Sequence, residues 1–290
     1  MGSINNPKKM LITGATGFLG SCLARRFVDY YNVVIIKRSF SDIRRIKDIY
    51  DDLIVYDIDK IKLNQIFYEN KIDIIVHTAT SYGRRKESLE QIVSTNVLFP
   101  LKLLELGILY KVNQFVNTDT AAVSNLNPYA LSKNHFLDWL KIKSTDIDVV
   151  NIKLEHFYGP NDDKSKFITY LIKKMILNET IDLTSGMQKR DFIYIDDVVN
   201  AYFIILKSNT IKDNYIEFEL GSGNQISIKD IVIKIHELVK SKSRLNFGAI
   251  SYRNNEIMTS NSDISKLIDL GWKPMVSLTD GLLTTIKESL

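Results

Sequence analysis

The stretch Lys9-Met-Leu-Ile-Thr-Gly-Ala-Thr-Gly-Phe-Leu-Gly20 decides the fold. Its first five residues form an apolar run typical of a short buried strand, and the remaining seven carry glycines at the first, fourth and seventh positions. An amphipathic segment follows to about Tyr30, so the glycines stand between a strand and a helix. Glycines at such a turn allow the backbone to approach a pyrophosphate, which the N–H groups of the helix N-terminus then face. The pattern predicts a dinucleotide-binding turn; a glycine-rich turn without a ligand is the alternative.

Short β-branched runs continue through the first half of the chain and alternate with helical patterns. The runs lie at 33–37, 53–57, 72–77, 115–118 and 148–152, and the clearest helical patterns lie at 87–109 and 129–143. Such alternation predicts an α/β fold with a Rossmann-like, doubly wound parallel sheet. After about residue 155 the alternation ends, which indicates a smaller C-terminal substrate-binding lobe. We predict a nucleotide-binding domain at 1–155, with about 190–210 returning to it, and the lobe at about 156–189 and 211–290.

The composition bounds the class of protein. Among 290 residues, 45% are hydrophobic and 25% are charged, as in ordinary globular domains. The net charge of +4 gives no reason to expect a nucleic-acid surface. The single cysteine, Cys22, excludes an internal disulfide, and the four histidines lack metal-ligand spacing, so we expect no metal. Because no run of about 18 apolar residues and no signal-peptide pattern is present, we expect a cytoplasmic protein with no membrane partner.

The end of the second predicted strand indicates which dinucleotide binds. Proteins that bind NAD usually carry an acid about 20 residues beyond the glycines, where it holds the ribose hydroxyls. Here the strand ends Lys37-Arg38-Ser39, and Arg38 with Ser39 could instead hold the 2′-phosphate of NADP. A solvated basic loop is the alternative. Asp57 ends the third strand, where an adenine contact is plausible, and the small residues Thr78-Ala79-Thr80 let a cofactor lie across the strand ends.

Tyr129 and Lys133 lie four residues apart at the start of a predicted helix. This spacing puts both side chains on one face, where the lysine ammonium would lower the pKa of the phenol. A tyrosine so tuned can act as a general acid. The fifth predicted strand ends Asn117-Thr118-Asp119-Thr120, and its hydroxyls can reach the mouth of the same crevice.

Four motifs, in this order along the chain, resemble those of the extended short-chain dehydrogenase/reductase superfamily. They are Gly14–Gly20, Tyr129-x-x-x-Lys133, Lys153–Pro160 and Arg190–Val198, and the resemblance covers nearly the whole chain. Within the superfamily the chain looks most like the bacterial sugar-nucleotide C4 ketoreductases that make CDP-abequose. The segments that carry this closer match are 154–160, 191–202, 247–250, 253–258 and 270–274. CDP-paratose synthases are similar but more distant.

The resemblance implies roles for individual residues. Tyr129 would protonate the ketone oxygen, Lys133 would hold the nicotinamide ribose, and Thr120 would bond the carbonyl, with Thr118 as its rival because the loop before Tyr129 is shorter than in most relatives. The implied cofactor is NADP(H), bound by Gly14, Thr16, Gly17, Phe18, Leu19, Gly20, Arg38, Ser39, Asp57, Ile58, Thr78, Ala79, Thr80, Asn96, Thr118, Tyr129, Lys133 and His156. The implied substrate contacts are Tyr82, Arg84, Thr120, Arg190 and Arg253. Surface salt bridges for Arg190 and Arg253, a plain loop at 82–84 and a packing role for His156 are the alternatives.

The activity that the resemblance implies is NADPH-dependent reduction of the C4 ketone of a nucleotide-linked 4-keto-6-deoxy or 3,6-dideoxy hexose. The leading expectation is conversion of CDP-4-keto-3,6-dideoxy-D-glucose to CDP-abequose for O-antigen or surface polysaccharide synthesis. A dTDP-4-keto-6-deoxyglucose reductase and a CDP-paratose synthase are alternatives.

Three other classes on this fold fit the residues less well. Dehydratases carry an Asp-Glu pair after the catalytic threonine, whereas Ala121-Ala122 or Asp119-Thr120 stands here. An epimerase that recycles a retained NAD has less use for a 2′-phosphate site, and a non-catalytic NADP-binding regulator would have lost the tyrosine–lysine pair.

We also expect a homodimer. In this superfamily the helix that carries the tyrosine often packs with the preceding helix into a four-helix bundle between subunits. The apolar positions that motivate this expectation are Leu101, Leu104, Ile108, Phe136 and Leu140. The same side chains could equally face the protein's own sheet.

Overall fold

The computed structural model of the chain describes residues 7–123, 126–208 and 213–290. The strands are β1 (Lys9–Thr13), β2 (Asn32–Lys37), β3 (Ile54–Asp57), β4 (Ile74–His77), β5 (Gln114–Thr120), β6 (Asp148–Leu154), β7 (His156–Tyr158), β8 (Ile181–Leu183), β9 (Lys189–Tyr194), β10 (Tyr215–Leu220), β11 (Gln225–Ser227) and β12 (Leu245–Phe247). The helices are α1 (Phe18–Phe27), α2 (Leu63–Glu69), α3 (Leu89–Val93), α4 (Phe99–Leu109), α5 (Pro128–Lys143), α6 (Phe167–Ile176), α7 (Ile195–Lys207), α8 (Ile228–Val239), α9 (Ser265–Asp269) and α10 (Leu278–Lys287).

A seven-stranded sheet contains the first six strands of the chain together with β10. Its strand order is β10-β6-β5-β4-β1-β2-β3, and the pairs from β5 to β3 are parallel. β4 is buried along its whole length, and β1 and β2 along most of theirs, as expected for a parallel sheet covered on both faces. The strand order reverses between β1 and β4, which is where such folds bind nucleotides. The predicted α/β, Rossmann-like architecture is confirmed.

The chain divides into two compact units. The first contains Met1–Lys153 and Leu206–Phe218, and the second contains Leu154–Ile205 and Glu219–Leu290. The segment that returns to the first unit therefore differs from the predicted 190–210. The reason is that β10 extends the seven-stranded sheet beside β6, whereas β9 pairs with β7 and β11 in a sheet of the second unit.

The second unit is built around short strands. β9 is parallel to β7 and antiparallel to β11, and β8 and β12 form a separate parallel pair. Asp191 on β9 is fully buried and accepts hydrogen bonds from the backbone N–H groups of Ser222 and Gly223 at 2.7 and 2.9 Å. A buried carboxylate satisfied in this way ties β9 to the turn that precedes β11.

The helix predicted at 87–109 is a composite. α3 passes through a π-helical turn at Ser94–Leu98 into α4, and Asn96 is buried within that turn. By length and composition the stretch Leu89–Leu109 could cross a membrane, with a mean hydropathy of 1.6. Leu103 and Leu104 lie in the main apolar cluster of the first unit, so we interpret the stretch as a core helix.

Three of the five positions expected to face a second subunit lie inside the first unit instead. Leu104, Phe136 and Leu140 are at most 1% exposed, because one face of α4 and α5 covers the apolar side chains of the sheet. Leu101 and Ile108 are partly buried against the same cluster. The exposed large apolar side chains of α5 are Leu131, Trp139 and Ile142.

Candidate active site

The turn between β1 and α1 needs glycine for steric reasons. Gly14 has a φ of +72°, and a Cβ there would lie 2.7 Å from the backbone nitrogen of Ala79. A Cβ on Gly20 would lie 2.3 Å from the carbonyl oxygen of Gly14. The backbone N–H of Gly17 donates to that oxygen at 2.8 Å and closes the turn. The first turn of α1 carries no acidic residue, so this cradle fits the pyrophosphate of a dinucleotide.

Two threonines join the glycine turn to the segment that follows β4. The hydroxyl of Thr78 donates to the carbonyl of Thr13 at 2.6 Å, and the hydroxyl of Thr13 accepts from the backbone nitrogens of Thr78 and Ala79. The candidate cofactor residues after β1 and after β4 are thereby held at one edge of the sheet.

The candidate 2′-phosphate residues follow β2. The guanidinium of Arg38 lies 4.9 Å from the ring centre of Phe40. The backbone N–H and the hydroxyl of Ser39 both donate to the carboxylate of Asp59, at 2.7 and 2.6 Å. Sequence analysis missed Asp59, although the parallel pairing of Lys37 with Asp57 would have placed residue 39 opposite residue 59.

Asp57, the candidate adenine contact, is held by two lysines. Its carboxylate lies 2.5 Å from the ammonium of Lys37 and 3.2 Å from that of Lys60. The hydrogen bond from Lys37 is the main reason that the pKa of Asp57 lies below its ordinary value. The backbone N–H of Ile58 donates to the carbonyl of Lys37 at 2.8 Å.

Tyr129 and Lys133 lie in the first turns of α5. This helix is capped by Asn127, whose side chain accepts from the backbone of Ala130 at 2.9 Å, with Pro128 at the first helical position. The side chain of Thr120, the last residue of β5, lies near enough to the phenol of Tyr129 to lower its pKa. The first unit therefore brings together Thr120, Tyr129 and Lys133, and the choice of Thr120 over Thr118 stays a prediction.

The phenol of Tyr129 keeps its proton. Burial raises the pKa of Tyr129 well above its ordinary value, the neighbouring Tyr82 raises it further, and the side chain of Thr120 lowers it. The pKa of Tyr129 is therefore shifted in the direction opposite to the lowering expected from Lys133, with burial as the largest cause. At neutral pH the group can donate a proton.

A buried acid that sequence analysis did not assign a role opposes the charge of Lys133. Asp119 is 4% exposed and Lys133 is 2% exposed. Burial lowers the pKa of Lys133, and the charge of Asp119 acts in the opposite direction. One carboxylate oxygen of Asp119 accepts from the amide of Asn151 at 3.1 Å, and the other is buried with no hydrogen-bond partner in the described part of the chain. A charged residue between the two candidate threonines of β5 was the signal available in the sequence.

Replacing Asp119 with asparagine is expected to lower the pKa of Tyr129, because the carboxylate charge disfavours the phenolate. The other charged or titratable groups that act on Tyr129 are Tyr82 and Arg84, which the substitution leaves in place. The measurement is NMR of ¹³Cζ-labelled tyrosine at the highest pH at which both proteins stay folded, which compares how far Tyr129 has ionised; its resonance is assigned by its loss in Tyr129→Phe. A resonance that titrates as in the unaltered protein would contradict this electrostatic coupling.

His77 lies beneath the site as a neutral side chain. Its Nδ1 is 2.8 Å from the hydroxyl of Thr13, and burial, followed by the charge of Lys133, lowers its pKa well below the ordinary value. Its ring lies 5.9 Å from that of Phe136, so it contributes to the packing between the sheet and α5.

Asn96 joins the π-helical turn to both sides of the site. Its amide oxygen accepts from the hydroxyl of Thr80 and the backbone of Ser81, at 3.1 and 2.7 Å. Its amide nitrogen donates to the carbonyl of Ser81 and the hydroxyl of Ser132, both at 2.9 Å. All four hydrogen bonds go to protein groups, so the side chain positions the loop after β4 against α5.

Three candidate residues form a stack in the first unit. The ring of Tyr82 lies 4.8 Å from that of Tyr129, and the guanidinium of Arg84 lies 5.0 Å from the ring of Tyr82. The two predicted substrate contacts in this loop therefore lie next to the candidate acid.

The remaining candidates lie in the second unit. Arg190 forms an ion pair of 2.5 Å with Glu256, whose backbone N–H donates to the carbonyl of Arg253 at 3.1 Å. The side chain of Arg253 is exposed. His156 is also exposed, with its Nδ1 3.1 Å from the carboxylate of Glu155. Within the described ranges no group of His, Cys, Asp and Glu side chains is arranged to hold a metal ion.

Comparison with known proteins identifies the family. Residues 10–221 match the model of the NAD dependent epimerase/dehydratase family. The chain belongs to this family. Members depend on a nicotinamide cofactor, which agrees with the glycine cradle described above. Sequence analysis had placed the chain in the same superfamily from four motifs in order along the chain, and that recognition is confirmed.

Individual relatives of this family member are similar over almost their full length. CDP-abequose synthase from Salmonella muenchen is 38% identical over 97% of this chain and 98% of the relative. CDP-abequose synthase from Salmonella typhimurium is 34% identical over 96% and 97%. Among solved structures, UDP-glucuronic acid 4-epimerase from Bacillus cereus, in complex with UDP-glucuronic acid and NAD, is 25% identical with a TM-score of 0.86 over 97% of this chain and 98% of that one.

Proposed function

We propose that the protein is an NADPH-dependent reductase of the C4 ketone of a nucleotide-linked 4-keto-6-deoxy or 3,6-dideoxy hexose. The proposed reaction is reduction of CDP-4-keto-3,6-dideoxy-D-glucose to CDP-abequose, for O-antigen or surface polysaccharide synthesis. The relatives named CDP-abequose synthase support it, since two of them are at least 34% identical along nearly the whole chain. The first unit would bind NADP(H), and the second would bind the sugar nucleotide through Arg190 and Arg253.

The observation that carries the proposal is a protonated Tyr129 beside Thr120. In the sequence, Thr120 is followed directly by Ala121-Ala122. A ketone reductase needs a proton donor at the start of its reaction. A phenol with a raised pKa is protonated at neutral pH and can fill this role. A dehydratase needs an additional acid and base next to the threonine, and two alanines supply neither.

The residues of the chain divide the chemistry among them. When bound, the nicotinamide supplies the hydride that adds to C4, and negative charge grows on the ketone oxygen. Tyr129 donates its proton to that oxygen, and the hydroxyl of Thr120 donates a hydrogen bond to it. Lys133 would hold the nicotinamide ribose, and the Gly14–Gly20 turn would hold the pyrophosphate. The product is the C4 alcohol, formed from the ketone, one hydride and one proton.

The experiment that tests the function is an assay of NADPH oxidation with a small panel of CDP- and dTDP-linked 4-keto sugars. We expect turnover with CDP-4-keto-3,6-dideoxy-D-glucose, and NMR of the product should show the C4 configuration of abequose. The paratose configuration or faster turnover of dTDP-4-keto-6-deoxyglucose would assign one of the two alternatives. Binding of NADPH without turnover of any member would contradict the proposal.

Arg38→Ala is expected to raise the KM for NADPH roughly 10–100-fold, because a charge-assisted hydrogen bond to phosphate is worth about 1.5–3 kcal/mol. The KM for NADH should stay unchanged, since NADH lacks the 2′-phosphate. Arg44→Ala is the matched control, because this neighbouring arginine is paired with Asp42 at 3.2 Å. Equal use of both cofactors by the unaltered enzyme would contradict the NADPH assignment.

We also propose a homodimer, with an interface formed by different side chains from those first expected. Leu131, Trp139 and Ile142 are the exposed apolar groups on α5 that a second copy would cover. Light scattering at micromolar concentration should give twice the mass of the chain, and a monomeric mass would remove the dimer. We propose that the reaction takes place in the cytoplasm.

A further inference from the structure

The loops that leave β2 and β3 place a carboxylate at the candidate 2′-phosphate position. β2 and β3 are parallel neighbours, with Lys37 opposite Asp57 at their last residues. Ser39 and Asp59 lie two residues beyond the ends of β2 and β3. The backbone hydrogen bond from Ile58 to Lys37 keeps the two segments together. The register of β2 and β3 therefore places Asp59 next to Ser39.

The contact between these two residues has the geometry of an occupied anion site. The two oxygens of the Asp59 carboxylate accept one hydrogen bond each, from the backbone N–H of Ser39 at 2.7 Å and from its hydroxyl at 2.6 Å. These bonds hold the pKa of Asp59 below its ordinary value, so the group is anionic at neutral pH. The carboxylate uses the same two donors that a phosphate would need.

We propose that Asp59 is a selectivity-determining residue of the cofactor site, whose carboxylate competes with the 2′-phosphate of NADP(H) for the donors of Ser39. A phosphate that binds Ser39 displaces the carboxylate and meets its charge at close range. An unphosphorylated ribose meets an acceptor instead, to which a 2′-hydroxyl can donate. Arg38 therefore favours the phosphorylated cofactor, and Asp59 acts against it.

The proposal deepens the NADPH assignment and rests on the same site, but its test does not need the substrate or turnover. The probes are adenosine 2′,5′-bisphosphate and 5′-AMP, which differ only by the 2′-phosphate. Isothermal calorimetry on the cofactor-free protein measures the dissociation constant of each. The ratio of the two constants isolates the contribution of the phosphate.

Asp59→Asn removes the charge with little change in shape. We expect it to tighten adenosine 2′,5′-bisphosphate roughly tenfold, the scale of one exposed unit charge acting on a phosphate dianion at about 4 Å. The affinity for 5′-AMP should stay unchanged or fall. Asp42→Asn is the control, because Asp42 is an exposed acid in the segment after β2 that also carries Ser39, and its carboxylate accepts from the backbone of Arg44.

Three outcomes would overturn the proposal: an unchanged ratio in Asp59→Asn, an equal gain for both probes, or the same gain in Asp42→Asn. The affinities of the unaltered protein for the two probes test the NADPH assignment separately. If the unaltered protein binds 5′-AMP more tightly than the bisphosphate, the NADPH preference fails, while a shifted ratio in Asp59→Asn would still support the competition.

Discussion

Replacing Tyr129 with phenylalanine is expected to lower turnover by roughly 10²–10⁴-fold, the usual scale for loss of a general acid. The substitution removes one hydroxyl and leaves the ring beside Tyr82, so folding should be preserved. Without the phenol, the charge that grows on the ketone oxygen meets no proton donor. The measurements are kcat for reduction of the 4-keto sugar nucleotide and the dissociation constant of NADPH, which should change little.

The two threonines of β5 provide graded controls. Thr120→Val should lower kcat less than Tyr129→Phe does, because one hydrogen bond to the oxygen is lost while the proton donor remains. Thr118→Val should have a smaller effect still, since the side chain of Thr120 acts on the phenol. Near-full activity in Tyr129→Phe would refute the catalytic assignment. A large loss in Thr118→Val with none in Thr120→Val would refute only the choice of threonine.

Local patterns in the sequence were sufficient to predict the fold and the candidate catalytic helix. The glycines at 14, 17 and 20 indicate a steric requirement within one turn. The four-residue spacing of Tyr129 and Lys133 indicates that both side chains lie on one face of a helix. Both are properties of neighbouring residues, which a sequence displays directly. The seven-stranded sheet then follows from the alternation of apolar runs with helices.

Features that depend on which segments become neighbours could not be predicted in the same way. Asp59 reaches Ser39 only because β2 and β3 pair in one register, and Asp119 acts on Lys133 only because α5 packs on that face of β5. The predicted dimer positions failed for a related reason. Leu104 and Phe136 are apolar whether they face a partner or the sheet, and periodicity does not distinguish the two. The pKa of Tyr129 depends on its burial, which spacing does not report.

Gly20→Ala is expected to weaken NADPH binding roughly 10–100-fold, since each charge-assisted hydrogen bond to an anion is worth about 1.5–3 kcal/mol. A Cβ at this position would lie 2.3 Å from the carbonyl of Gly14, which is backbone and cannot rotate away. The start of α1 must therefore move away from β1, and its N–H groups move with it. Overpacking of this kind also costs about 1–3 kcal/mol of folding stability. Calorimetry of NADPH binding and thermal unfolding measure the two effects.

A second glycine separates the loss of binding from the loss of stability. Gly107 lies in α4, where a Cβ would meet the tip of the Ile75 side chain at 3.2 Å, a contact that a side chain can relieve. Gly107→Ala changes the packing of the same unit without touching the turn, so it should leave the NADPH affinity unaltered. If Gly20→Ala remained folded and bound NADPH as tightly as Gly107→Ala does, the turn would not hold the pyrophosphate. The glycines at 14, 17 and 20 would then serve only the packing of α1 against the sheet.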